Sequence, residues 1–198
     1  MERDPSQGAT KPADVFVHEK GLCESEDVGA GTRVWAFAHV MRGAKVGERC
    51  NVGGHAFVEA GAVVGDRVTI KNGVMIWDKV VVEDDVFLGP AMIFTNDMNP
   101  RAAFKKDASE FLPTRVGRGA SIGANATIVC GTTIGTNAFV AAGAVVIRDV
   151  PPHAVVAGNP AERIAWMCEC GGRLEGELSC ADCGRRYVTR GDGLELAR

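Results

Sequence analysis

A chain of 198 residues has room for one main domain and a small appendage. Its formal net charge of −3 offers no basic footprint for nucleic acid, and no apolar run approaches the length of a membrane span. Apolar residues make up 46% but aromatic ones only 6%, beside 25 glycines, which suits many tight corners and small inward side chains.

The first segment, MERDPSQGATKPAD, is charged and lacks the apolar h-region of a signal peptide. Residues 1–14 therefore read as a flexible N-terminus, and the expected compartment is the cytoplasm. From Val28 onward every sixth residue is apolar: Val34, Val40, Val46, Val52, Val58, Val64, Ile70, Ile76, Val82, Leu88 and Phe94. The step breaks over residues 100–115 and resumes at Val116, Ile122, Ile128, Ile134, Val140 and Val146. At 46% apolar content, eighteen such hits arise by chance on the order of once in a million. Phe16 and Leu22 continue the same step upstream.

The residues two before each of these positions are mostly alanine (Ala38, Ala44, Ala56, Ala62, Ala120, Ala126, Ala138, Ala144), with valine at Val68, Val74, Val80 and Val86. Alternating large and small inward residues in units of six describe short strands joined by bends, three to a coil. A glycine directly after the inward residue suits a tight corner. The expected fold is all-β, a parallel β-helix of about six or more coils over residues 15–163, with an inserted loop at 100–115.

Eighteen residues per coil stack positions into three columns. After the inward residue, the first column reads Gly29, Gly47, Gly65, Glu83, Gly117, Gly135, and the second Trp35, Gly53, Lys71, Gly89, Gly123, Ala141. The third reads Met41, Glu59, Trp77, Thr95, Val129, Ile147 and has no glycine. Asp78 and Lys79 follow in this column, then Asn96 and Asp97, and the inserted loop departs from the same edge. Loops that interrupt a rigid scaffold commonly carry function, so the chemistry is expected here.

The stretch VTIKNGVMIWDKVVVEDDVFLGPAMIFTNDMNPRA resembles the sugar-nucleotide N-acetyltransferases, which acetylate a 3-amino group on UDP- or dTDP-linked sugars. The stretch GASIGANATIVCGTTIGTNAFVAAGAVVIRDVPPHAVVAGNPAERI is similar to the CoA-binding half of hexapeptide-repeat acyltransferases. The resemblance implies a left-handed helix, a homotrimer with sites between neighbouring prisms, acetyl-CoA along the C-terminal coils and a role in cell-surface polysaccharide biosynthesis. It places the pantetheine arm beside Gly123, Ala124, Ala141 and Ala142, and the nucleotide end of the cofactor near Arg148, Asn159, Pro160 and Arg163. Ala141 and Ala142 also read as simple corner residues.

Acetyl transfer to an amine needs a neutral amine, a polarised carbonyl and close approach. The loop contains no histidine, and of His18, His39, His55 and His153 only His55 falls in a central coil, where a structural role is the simpler reading. An amine needs less help than an alcohol, and the departing thiolate can take the last proton. On that scheme Asn96 and Asp97 orient the sugar amine. Lys71 and Arg101 engage phosphates or a sugar carboxylate, Asp78 belongs to the substrate edge, and Trp77 and Phe94 offer apolar walls. Phe94, at an inward position, also reads as core.

Beyond the repeat, residues 164–198 carry Cys168, Cys170, Cys180 and Cys183. Two close pairs resemble a zinc ribbon, although the first is Cys-x-Cys rather than Cys-x-x-Cys, and the expectation is structural zinc. Two other functions share the prism. A γ-type carbonic anhydrase needs a three-histidine zinc site with two histidines close in sequence, whereas these four are at least sixteen residues apart. A non-catalytic scaffold would not require the loop.

Overall fold

A computed structural model describes residues 14–197. The expectation for residues 1–14 falls outside it, apart from Asp14, which lies in a turn. Strands of mostly two residues recur every six, and each pairs in parallel with the strand one coil away. They form three sheets. The first face runs from Lys45–Val46 to Thr133–Ile134, the second from Phe16–Val17 to Ala154–Ala157, and the third from Leu22–Cys23 to Val145–Val146. The result is a left-handed parallel β-helix of about eight turns, in keeping with the six or more coils that the spacing predicts.

From Val34 to Val146 each inward valine or isoleucine is buried, as is the residue two before it. Small alanines at most of these second positions let three strands meet around one axis. Middle coils fill the same section with larger pairs, such as Val74 with Ile76 and Met92 with Phe94. The left-handed backbone at each corner belongs to the third residue after the inward one, including Phe37, His55 and Lys79 at φ 63°, 60° and 62°. The glycine directly after the inward residue does a different job from the turn-making expected of it. A Cβ on Gly47 would lie 2.6 Å from the Gly65 backbone one coil on, so these glycines let corners stack.

Two boundaries differ from the sequence reading. Phe16 pairs with Arg33 and Leu22 with His39, so Val17 and Cys23, not Phe16 and Leu22, lie level with the inward residues. That register makes the first coil one residue short. Phe16 and Leu22 point outward, 45% and 51% exposed. The insertion occupies residues 95–113 rather than 100–115, because Thr114–Val116 is already a strand on Val80–Val82. Thr114 takes an inward position that alanine or valine holds in most coils, and its polarity hides the return of the repeat.

Beyond the last coil, Glu162–Trp166 runs antiparallel to Ala154–Ala157. Two small hairpins follow, Leu174–Glu175 with Ser179–Cys180 and Tyr187–Arg190 with Gly193–Leu196. Trp166 packs against both the main core and the small one beneath these hairpins. Among the described residues no helix is long and apolar enough to cross a membrane.

Candidate active site

The third edge gathers Trp77, Asp78, Lys79, Thr95, Asn96 and Asp97, as the columns predict. Trp77 is half-buried against the core, and its indole N–H donates to the Phe94 carbonyl at 2.7 Å. That bond fixes the ring as a wall of the edge. Phe94 itself is 1% exposed and belongs to the core. Among the described residues the Asp78 carboxylate receives no side-chain donor; its backbone N–H donates to Glu59 Oε2 at 2.8 Å. The inserted loop is tied back at its neck, where Leu112 N–H donates to the Asn96 carbonyl at 3.2 Å. The Asn96 side chain is half-buried, and among the described residues its amide has no hydrogen-bond partner.

Asp97 is occupied within the loop. It pairs with Lys106 and accepts the Asn99 N–H at 3.0 Å. The Lys106 hydrogen bond holds its carboxyl below the usual range, with help from Asn99, so it is ionised at neutral pH. Lys79 supplies a clamp whose role the sequence did not reveal. Its ammonium donates to the carbonyls of Ala108, Ser109 and Phe111 at 2.6, 3.1 and 3.0 Å. A short 3-10 turn at Ala108–Glu110, closed by a reciprocal Asp107–Glu110 capping box, presents those carbonyls. Arg101 is exposed in the same loop.

Lys71 does not join this group. It lies on the second edge, in a groove of about 580 Å³ lined by Trp35, Phe37, Asn51 and His55. Six residues separate Lys71 from Trp77, up to about 20 Å of chain, and the third face lies between. The other second-edge residues, Gly123, Ala124, Ala141 and Ala142, do stack in one line, since a Cβ on Gly123 would meet the Ala142 nitrogen at 2.4 Å. Gly123 is thus required by coil stacking itself. Arg148, Asn159, Pro160 and Arg163 gather at the C-terminal end, where Gly158 and Ala161 hydrogen-bond to Val145. Arg148 pairs with Glu162, and the Arg163 guanidinium lies 4.3 Å from the Trp166 ring centre.

His55 stacks on Phe37, with centroids 5.0 Å apart, on the second edge. His39 stands one coil before the strand Phe57–Val58 that follows His55. It points out from the third face, where its Nε2 meets Glu24 at 2.8 Å and its ring meets Phe57 edge-on. Through Phe57 and Met75, His39 is three rungs from Ile93, about 14 Å at 4.8 Å per rung, too far to reach Asn96 within one chain.

The four cysteines of the appendage converge, with all four sulfurs within 4.8 Å of one another. The Arg185 backbone N–H, then its side chain, pull the Cys183 thiol down to about 6.

A family model for the bacterial transferase hexapeptide (six repeats) matches residues 113–148, and one for the hexapeptide repeat of succinyl-transferase matches residues 43–77. The chain is 44% identical over 174 residues to the dTDP-3-amino-3,6-dideoxy-alpha-D-galactopyranose 3-N-acetyltransferase of Aneurinibacillus thermoaerophilus, covering 87% of this chain and 90% of that protein. Among solved structures, a mutant GDP-perosamine N-acetyl transferase from Caulobacter crescentus, in complex with CoA and GDP-perosamine, aligns at a TM-score of 0.57 and 26% identity. The acetyltransferase domain of PglB from Neisseria gonorrhoeae, in complex with acetyl coenzyme A, aligns at a TM-score of 0.57 and 25% identity. These alignments cover 73% and 76% of this chain but only 57% of each solved chain. A match at 44% identity that runs nearly end to end settles the family: this chain belongs to the hexapeptide-repeat N-acetyltransferases of nucleotide-linked amino sugars.

Proposed function

We propose that the chain transfers the acetyl group of acetyl-CoA to the amino group of a nucleotide-linked 3-amino sugar, in the cytoplasm, for cell-surface polysaccharide biosynthesis. The nearly end-to-end likeness to the Aneurinibacillus enzyme carries this reading. The third edge supports it with an unpartnered amide at Asn96, an ionised carboxylate at Asp97 and an apolar wall at Trp77. In this scheme the neutral amine attacks the thioester carbonyl, the C–S bond breaks, and the CoA thiolate takes the proton released from nitrogen. Asn96 accepts from the amine and orients its lone pair, and Asp97 Oδ2, which neither Lys106 nor Asn99 contacts, is the second acceptor.

The working unit in this reading is a homotrimer. The third face presents Leu22, Met75 and Ile93 to the outside, beside half-buried Phe57 and Val145 and the polar His39 and Thr127, whereas the first face mixes Val63 and Val81 with Lys45, Arg115 and Thr133. Packing prisms through the apolar third face sets the second edge of one protomer against the third edge of its neighbour. Lys71 with the Gly123–Ala142 line then faces Asn96 across the interface. Acetyl-CoA lies along that line, with Arg148, Asn159, Pro160 and Arg163 around its nucleotide end and Arg101 and Asp78 on the sugar nucleotide. The four cysteines have no place in this scheme.

A thiol-release assay with acetyl-CoA and a panel of nucleotide-linked amino sugars tests the reading. Release with at least one 3-amino sugar is expected. No release with any of them, from a protein that binds CoA, would sink it.

A further inference from the structure

Two turns of the appendage are built alike. After Cys170 the chain passes through Gly171 at φ 93°. After Cys183 it passes through Gly184 at φ 74°. Each turn is also closed on its first cysteine, Gly171 N–H to the Cys168 carbonyl and Gly184 N–H to the Cys180 carbonyl, both at 2.9 Å. The two turns bring the four cysteine sulfurs within 4.8 Å of one another, a donor set that fits a tetrahedral cation.

The distances agree. A tetrahedral zinc site with Zn–S of about 2.3 Å has sulfurs roughly 3.8 Å apart. Cys168 and Cys183 are 3.5 Å apart here, and Cys170 and Cys180 3.6 Å. Both separations are far beyond the roughly 2.05 Å of a disulfide. Gly172 leaves space for the cluster, since a Cβ there would lie 2.8 Å from the Cys180 sulfur.

The surroundings say what the ion would hold. The small core has five buried residues, Cys168, Leu174, Cys180, Tyr187 and Leu194, and two of these are the cysteines themselves. So few apolar groups do not order a segment of this size without a staple. Tyr187 connects the cluster to the β-helix: its hydroxyl lies 3.1 Å from the Cys168 sulfur, and its ring stands 4.8 Å from that of buried His153 on the last coil. His153 Nδ1 in turn meets the Met167 carbonyl at 2.8 Å.

We propose that Cys168, Cys170, Cys180 and Cys183 bind one zinc ion, which staples the C-terminal segment over the last coil. All four positions are filled by protein, so the ion is structural. Metal analysis of full-length protein purified without chelator should find about one zinc per chain, and none in the Cys180→Ser/Cys183→Ser double variant. Cys50→Ser, outside the cluster, should keep the metal. Trypsin should cut the double variant rapidly at Arg173, Arg185, Arg186 or Arg190 while the β-helix persists. Should the double variant fail to fold, chelation of the native protein should open the same sites and added zinc should close them. Absence of zinc with all four thiols freely reactive, iron in its place, or zinc retained by the double variant would overturn the site. Zinc loss without any change in cleavage would overturn the staple.

Discussion

The Asn96 amide is half-buried at the neck of the loop and has no partner among the described residues, so on the proposed scheme removing it takes away a substrate contact and little else. Asn96→Ala is expected to lower kcat/KM about a hundredfold, roughly 2.7 kcal/mol, with acetyl-CoA affinity nearly unchanged. His55→Asn should cost far less, since the proposed transfer uses no general base. If His55→Asn were inactive and Asn96→Ala nearly normal, transfer would be histidine-assisted instead. The pH profile of kcat/KM should rise as the substrate's ammonium loses its proton. Phe94 behaves differently from its neighbours: at 1% exposure it is core, and Phe94→Ala should cost about 3–5 kcal/mol in a denaturant melt. A loss of substrate affinity without loss of stability would return Phe94 to the site.

The loop at 95–113 is an element held by two lysines. Lys79→Met removes donors from three carbonyls at once and should speed proteolysis within residues 101–112 while leaving the melting temperature of the β-helix nearly unchanged. Equal cleavage of both proteins would rule out the clamp. The second tie depends on pH. Asp97 titrates below its unfolded value of about 3.9, so its pairing contributes fully above that pH and is lost as pH falls through the lowered folded value. An NMR titration of the Asp97 carboxyl should therefore show a midpoint below the ordinary one in the native protein, returning toward it in Lys106→Met. The sequence located this edge because glycine is missing from one column and the repeat breaks there. It did not reveal the clamp, since a lysine's reach to backbone carbonyls depends on where the loop returns. The loop's end was misplaced for a related reason: Thr114 is inward yet polar.

At the scale of the whole molecule, a step of six was legible because every coil repeats the same triangular section, and each valine must be level with the one eighteen residues on. The one-residue shortening of the first coil was not legible, because Phe16 and Leu22 are apolar and keep the step while facing outward. The columns already put Lys71 on the second edge and Asn96 on the third, while the spacing says nothing of which edges would meet between protomers. Ile93 is 51% exposed at the middle of the apolar third face. In light scattering the native protein should have three times the 20.9 kDa chain mass, and Ile93→Asp should shift it toward monomer and lower activity with it. A native monomer at micromolar concentration would contradict the shared site.

Parallel stacking of identical rungs has no natural end, because each rung leaves N–H and carbonyl groups ready for another. The antiparallel strand Glu162–Trp166 lies on the last full strand of the second face and reverses the direction of the chain there. It takes up the groups that another copy's first rung would need, in an order that a parallel strand cannot continue. Growth of the second face into a head-to-tail filament is thereby blocked at that end, which leaves sideways association as the route to the proposed trimer.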